Sequence, residues 1–384
     1  MGRAERKGIL ERIGQLRGST AIAYVMSDRP PAPAQIGDDA VRPLFEHLRA
    51  IGHVEKLDVF IYSRGGAIDV PWRMVTAFRQ SSDSWRVLIP FRANSAATLL
   101  ALGADAIVLG RQGELGPIDP TLQIQRMSNQ PGGQGTLIQD NVNVEDVMAY
   151  LRFVRERAGL SDQESLSLSL SKLTERLDAV TLGSLYRSHS HIRDVARRML
   201  LSRKEPTNQQ AIATIVETLA ERVYAHGHAI GREEATEIGL PVENADAEID
   251  DLMWSLLRAY EDDLKLLDPL DAMAAVAVTG TYTEDAVTAV IESVWGLHEF
   301  AGQIELKAKR AMPPNLNISL NLNLQLPPTI DASQLPQVIQ AQIQQLQQAL
   351  LQQAQQALLQ AFQQQAPITG VDIGFRAAQW RKMT

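Results

Sequence analysis

The sequence predicts an α/β protein, and three observations in its first hundred residues carry that expectation. Ala21 to Met26, Leu57 to Tyr62 and Trp85 to Pro90 are short apolar runs rich in β-branched residues, and they read as buried strands. Between them, Val41 to Ile51 and Ile68 to Gln80 place apolar residues at three- and four-residue spacing, as amphipathic helices do. Alternation of the two patterns implies βαβ units. With 384 residues, 45% of them hydrophobic, the chain holds enough for two or three domains and a sizeable core.

Ser95 to Gly103 follows the third strand. Its small first residue, apolar body and terminal glycine suit a buried helix, and Ile107 to Leu109 reads as the next strand. Glu114-Leu115-Gly116-Pro117-Ile118-Asp119-Pro120 is rigid by composition, since two prolines fix φ there. Residues 126 to 142, rich in Gly, Asn and Gln, read as a flexible loop, either a lid or a substrate-facing excursion. Helical spacing then marks Asn143 to Ala158, Thr181 to Ser202, Asn208 to Tyr224, Arg232 to Ile238 and Asp246 to Leu267, the last with Trp254 and Leu257 on its apolar side. Ala272 to Thr279 and Ala286 to Ile291 read as strands of a hairpin-like extension.

The C-terminal third differs in kind. From Asn315 to Leu326 leucine and isoleucine alternate with asparagine, serine and glutamine, which gives an extended strand one apolar face. Such a strand needs a partner, and copies from neighbouring subunits supply one. Gln334 to Gln365 places Ile339, Ile343, Leu346, Leu350, Ala354, Ala357 and Ala361 at three- and four-residue steps, the pattern of a coiled coil or helical bundle. Its glutamine bias and near absence of charge fit a disordered low-complexity tail as the alternative. The expected divisions are residues 1–245, an α/β domain; 246–312, a helix and hairpin; and 313–384, the alternating strand and the glutamine-rich helix.

Composition narrows the functions. A formal charge of −8 without clustered Lys and Arg argues against nucleic acid as a partner. Zero cysteines exclude a disulfide framework, a thiolate metal site and a cysteine nucleophile. The charged start, Met1 to Lys7, leads to no long apolar segment, so no signal peptide or membrane span is expected and the chain reads as cytoplasmic. No Walker A loop is present, so ATP-driven unfolding would require a separate partner. No cofactor is expected.

Two features, about 30 residues apart, sketch a site for acyl transfer. A serine hydroxyl is a poor nucleophile until its proton is removed and the resulting oxyanion meets hydrogen-bond donors. Gly65-Gly66 after a strand lets a backbone N–H turn into a pocket, and Ser95 at a helix start brings the Ala96 N–H close. Taken singly, a Gly-Gly pair is an ordinary turn and a serine there an ordinary N-cap. Several residues are candidates for the base. His226 and His228 flank Gly227 ahead of a helix; as a metal pair they lack a third ligand, and as surface histidines they do nothing. Lys172 is a third candidate, although its surroundings read as an exposed helix face. His189 and His191, with Arg193, Arg197 and Arg198 nearby, read as solvated or at a subunit contact.

Ile61 to Ile68, followed by Ala93 to Ala104, resembles the ClpP-class serine peptidases. Gly113 to Pro120 is similar to the subgroup known as serine dehydrogenase proteinases, the SDH type, as are Tyr224 to Ile230 and Glu234 to Leu240. The likeness spans roughly residues 10 to 245. It implies a ClpP/crotonase-like ββα superhelix, a homo-oligomer and peptide-bond hydrolysis, with Ser95 as nucleophile and Gly66 and Ala96 as oxyanion donors. It also implies a histidine where this chain has Pro117 to Pro120, and an aspartate at about Gly227. The two roles are therefore expected to have changed places, with His226, or else His228, as the base and Asp119 orienting it.

The expected function is a serine endopeptidase acting on peptides or unfolded proteins. Two alternatives come from other classes: a catalytically weak oligomeric scaffold, and a crotonase-type acyl-CoA enzyme sharing the Gly-Gly oxyanion strategy. A helix-start serine argues against the last.

Overall fold

The computed structural model describes residues 2–118, 121–127, 137–222, 227–311 and 336–383. Contacts divide the chain into two compact units, Met1–Pro269 with Ala286–Gly302 and Ala377–Thr384, and Leu270–Asp285 with Gln303–Arg376.

In the first unit, α1 (Arg3–Arg17) precedes β1 (Thr20–Met26), and α2 (Val41–Ile51) connects it to β2 (Val54–Tyr62). α3 (Val70–Ser81) leads to β3 (Ser82–Ile89), and the short β4 (Arg92–Ala93) runs into α4 (Ala96–Leu102). β5 (Ala106–Leu109) and β6 (Glu114–Leu115) follow, then the antiparallel pair β7 (Thr121–Met127) and β8 (Leu137–Asn143). Residues 126 to 142, expected as a loop, thus include parts of two paired strands: polar composition hid a ladder in which backbone groups satisfy one another. Helices α5 (Val144–Arg152), α6 (Gln163–Thr174), α7 (Ala179–Leu201), α8 (Gln209–Glu217) and α9 (Arg232–Ile238) come next, then β9 (Val242–Asn244) and α10 (Ala247–Leu264). The chain goes on through α11 (Ala272–Val276), β10 (Thr281–Ser293), β11 (Gly296–Arg310), α12 (Gln337–Gln365) and β12 (Ile368–Met383).

β1, β2, β3, β5 and β9 are parallel neighbours in that order, and β10 adds antiparallel beside β1, pairing Ile22 with Ser293 and Met26 with Ala289. The alternating βαβ pattern forces this arrangement, because a helical crossover returns each strand parallel to the last. Side chains on the two faces form separate cores. Ile22, Val59, Ile61, Val87 and Ile107 pack beneath α2, α3 and α4, where α7 adds Ile192, Ala196 and Met199. Phe60, Leu88 and Val108 meet Leu10 and Ile13 of α1 and Met253 and Leu257 of α10. Trp254, expected on the apolar side of α10, stays 39% exposed.

Two buried polar clusters tie the antiparallel strands to this frame. Arg6 reaches Glu292 at 2.6 Å and also bonds Asp263, while the Tyr260 hydroxyl donates to Glu292 at 2.8 Å. The second cluster runs from Ser293 through His47 (2.8 Å) to His298 (2.9 Å) and on to Glu46 (3.3 Å). Burial first, and then the charges of His298 and Lys382, push the His47 imidazole down to about 4, against a bond to the Ile291 backbone. An unfolded chain takes up this proton near pH 6.5, whereas the folded one resists it down to about 4. Stability is therefore complete above about pH 6.5 and falls as pH drops toward 4, by about 3 kcal/mol from this group. Urea unfolding at pH 7 and pH 4.5 should show the loss, and His47→Gln, which cannot charge, should flatten it.

The second unit holds α11, the distal ends of β10 and β11, α12 and the first part of β12. Ala272 to Thr279, expected as a strand, begins instead as α11. The Asp271 carboxylate accepts from the Met273 and Ala274 N–H groups at 3.0 Å, and a side-chain cap of this kind outweighs the β-branched residues that follow. α12 carries no charged residue, and Ile339 and Leu346 remain 41% and 57% exposed. β12 is held by Lys309 to Asp372 at 2.6 Å and Arg376 to Glu305 at 2.8 Å. The alternating segment Asn315 to Leu326 lies outside the described residues. Among the described residues no helix is long and apolar enough to cross a membrane.

Candidate active site

The site forms beyond the carboxyl ends of β2 and β3, where successive βα loops meet in this class of sheet. After β2 the chain continues extended as Ser63-Arg64-Gly65-Gly66, bridged on one side to Ala93 and on the other to Ile36. The Ser63 N–H donates to Arg92 O at 3.0 Å, and Asn94 N–H donates to Ser63 O at 3.0 Å. Ser63 also accepts the Gly65 N–H on its hydroxyl at 3.0 Å, pinning the strand where it changes course.

Gly65 has φ +108° and Gly66 φ +153°, conformations that favour glycine. Gly65 O accepts from Ile36 N–H at 2.8 Å, and Ala67 N–H donates to Ile36 O at 2.9 Å. Because a trans peptide sets its C=O and N–H in opposite directions, the Gly66 N–H points away from Ile36. That N–H makes no hydrogen bond among the described residues.

Ser95 lies at φ +51°, ψ −114°, one of few non-glycine residues with positive φ. In that conformation its hydroxyl does not cap α4 and has no hydrogen-bond partner among the described residues, so the ordinary N-cap reading does not apply. Ser95 O accepts from Leu99 N–H at 3.0 Å, so by the same peptide geometry the Ala96 N–H points out of the helix start. The two features meet. A Cβ placed on Gly65 would lie 2.8 Å from Ser95 Cβ and 3.1 Å from Ala96 N. Ser95 is half-buried, while Ala96 to Leu102 are fully buried, so the Ser95 hydroxyl stands on a rigid base at an accessible edge.

Sequence reasoning gave no role to Thr98, although a lone hydroxyl inside an apolar helix is itself a signal, since it must find a partner. Thr98 Oγ1 lies 2.7 Å from Ala93 O and 2.9 Å from Gly116 O, and accepts the Gly116 N–H at 3.0 Å. It thereby fixes the 114–118 segment against Asn94, which lies 3.0 Å from where a Gly116 Cβ would be. Thr98→Val keeps the shape but strands these buried groups, at a cost of about 1–3 kcal/mol. Any peptidase activity should fall about 10-fold in kcat with little change in KM, and Thr98→Ser should restore it.

Asp119 and His226 lie outside the described residues. Their described flanks converge: Leu115 and Ile230 exchange backbone bonds of 2.9 and 2.8 Å, and Ile118 N–H donates to Leu219 O at 3.0 Å. Leu115 in turn pairs with Ala93, two residues before Ser95. The other base candidates are engaged elsewhere. His228 Nε2 sits 2.9 Å from the Glu234 carboxylate, and Lys172, 62% exposed, pairs with Glu175 at 2.8 Å. His189, expected to be solvated or at a subunit contact, is buried on α7, whereas His191 is exposed and bonds Asp69 at 2.5 Å. Among the described residues no cluster of three His, Asp or Glu could hold a metal ion.

Residues 3–132 match the family model of ClpP-like SDH-type serine proteinases. That span covers the motifs at 61–68, 93–104 and 113–120 on which the resemblance rests. An uncharacterised protein of Methanocaldococcus jannaschii is 21% identical over 266 residues, covering 68% of this chain and 80% of its own length. Among solved structures, a variant of the membrane-bound stomatin-specific protease 1510-N shares 16% identity at a TM-score of 0.31, over 60% of this chain and 80% of its own. ClpP1 from Listeria monocytogenes shares 10% at a TM-score of 0.31, over 62% of this chain and 98% of its own.

Proposed function

We propose that this chain, which over residues 3–132 carries the ClpP-like SDH-type serine proteinase domain, is a serine endopeptidase acting through Ser95 on peptides or unfolded proteins. One observation carries the reading: the Ser95 hydroxyl is left unbonded at positive φ, against a glycine backbone whose next N–H, with that of Ala96, has no partner among the described residues. Ser95 Oγ attacks the scissile carbonyl carbon while its proton passes to a base, and the carbonyl oxygen becomes an oxyanion received by the Gly66 and Ala96 N–H groups. Collapse expels the amine, which takes the proton from the base, and leaves an ester on Ser95. Water then hydrolyses the ester by the same steps.

His226 is the base in this proposal and Asp119 its orienting carboxylate. The support is indirect, from the backbone bonds that draw residues 115–118 to residues 219 and 230. The chain works as a homo-oligomer. In its support, Ile339, Leu350 and Ala361, and likewise Ile343 with Ala354 and Leu346 with Ala357, recur every 11 residues along α12, a repeat suited to a right-handed helical bundle. Energy-driven unfolding of substrates falls to a separate protein.

Fluorescein-labelled casein, incubated with the wild type and with Ser95→Ala, tests the reading. Cleavage by the first alone is expected; equal cleavage by both would remove Ser95 from the chemistry. A scaffold role is the second reading, favoured by one observation: among the described residues no imidazole or ammonium contacts Ser95. A folded wild type that cleaves nothing would support it.

A further inference from the structure

The C-terminal end of β12, residues 377–383, belongs to the first unit and is fastened there through Trp380. The indole packs against the rings of Tyr24 and Phe300, with centroids 6.5 and 5.4 Å away. Its N–H donates to Asp39 at 2.7 Å, three residues past Ile36, whose backbone bonds Gly65 and Ala67 on either side of Gly66. This end begins at Ala377, held at φ +51°, a conformation that costs an alanine strain and that release would relieve.

Two residues beyond Trp380, Lys382 brings a positive charge to the buried His47–His298 pair. Burial is the largest cause lowering both imidazoles, and Lys382 lowers each further. Other elements face the pair as well. From α2, Glu46 supports the charged form of His298 but is shared with Arg42 at 3.5 Å, and from β10 come the Ser293 hydroxyl and the Ile291 backbone. His47 Nε2 and His298 Nδ1 lie 2.9 Å apart, so one of these nitrogens must be bare to accept the N–H of the other. Were both rings charged, N–H would face N–H out of reach of water, with Lys382 as a third positive charge.

We propose that residues 377–383 form an acid-released clasp: proton uptake by the His47–His298 pair drives Lys382 away, and Trp380 leaves Tyr24, Phe300 and Asp39 with it. β12 is the element that yields because it is the edge strand of its sheet and Lys382 at its end is exposed, whereas Leu44 and Leu48 anchor α2 in the core. The sign follows from His47, which takes up its proton near 6.5 when freed and only at about 4 when clasped. The clasp is therefore closed above about pH 6.5 and weakens as pH falls toward 4. The proposal does not depend on the peptidase reading.

Hydrogen exchange of the full chain at pH 7 and pH 4.5, read by mass spectrometry and corrected for the chemical rate at each pH, tests it. In the wild type, residues 377–383 should be at least about 10-fold less protected at pH 4.5, while Ser82–Ile89 of β3 stays unexchanged. His298→Gln, which cannot take up the proton, should keep most of that protection. Lys382→Gln, a change at an exposed position, should lose about 3-fold less than the wild type, as half a pH unit of relief would give. The proposal falls if residues 377–383 stay protected at pH 4.5 or exchange together with β3. It falls equally if either variant, once folded, loses as much protection as the wild type.

Discussion

Ser95→Gly is expected to give a protein about 1 kcal/mol more stable than the wild type and without peptidase activity. A non-glycine residue held at φ +51°, ψ −114° carries strain of about 1–3 kcal/mol, and glycine relieves it. Part of the gain is returned because glycine makes the unfolded chain more flexible. Among the described residues the hydroxyl makes no bond that the change would remove. Ser95→Ala keeps the strained backbone and should be close to neutral in stability, yet it should lose activity as fully, by about 10⁴-fold or more in kcat. Denaturant unfolding of the three proteins separates strain from chemistry. A glycine variant less stable than the alanine one would show that the backbone here is not strained.

Gly66→Ala is expected to abolish activity and to cost about 3 kcal/mol. Its Cβ would come within 2.3 Å of Ile36 N and 2.5 Å of Ile36 O, with φ already at +153°. No flexible side chain can yield, because every near atom is backbone. The 65–66 peptide must move, and the N–H assigned to the oxyanion moves with it; losing one such donor costs about 10²–10³ in kcat. Gly183→Ala is the control. It sits in α7 with nothing within 4 Å of the new Cβ, so it should stabilise by about 1 kcal/mol and leave activity unchanged. Equal effects at both positions would mean that close approach does not set the role of Gly66.

Much of the α/β frame was legible in the residues because burial on both faces makes parallel strands read as unbroken apolar runs, as at Leu57 to Tyr62. Helices with a clear apolar stripe, such as Val41–Ile51 and Arg232–Ile238, took the expected bounds. Less visible were elements whose stability comes from partners far along the chain. α1 begins with Arg3, Glu5, Arg6 and Lys7, and the charge conceals that Arg6 is buried against Glu292, 286 residues away. The residues of β12 give no strand signal of their own, since their polar pattern acquires meaning only beside β11. At the site, residue type suggests the roles proposed for Gly66 and Ser95, because glycine accepts such φ values readily and a hydroxyl is among the side chains that can attack. That Ser95 would share the strain, with Gly65 as the residue pressed against it, depends on packing that no single segment encodes. The base depends on two distant loops meeting, which spacing does not reveal.

The central claim is that the fold holds Ser95 as an activated nucleophile. Treatment of the folded wild type with a fluorophosphonate probe, followed by peptide mass spectrometry, tests it most directly. The account predicts one adduct on Ser95, absent from Ser95→Ala and lost in Gly66→Ala. A folded wild type that takes up no probe, or takes it up on a different residue, would contradict it.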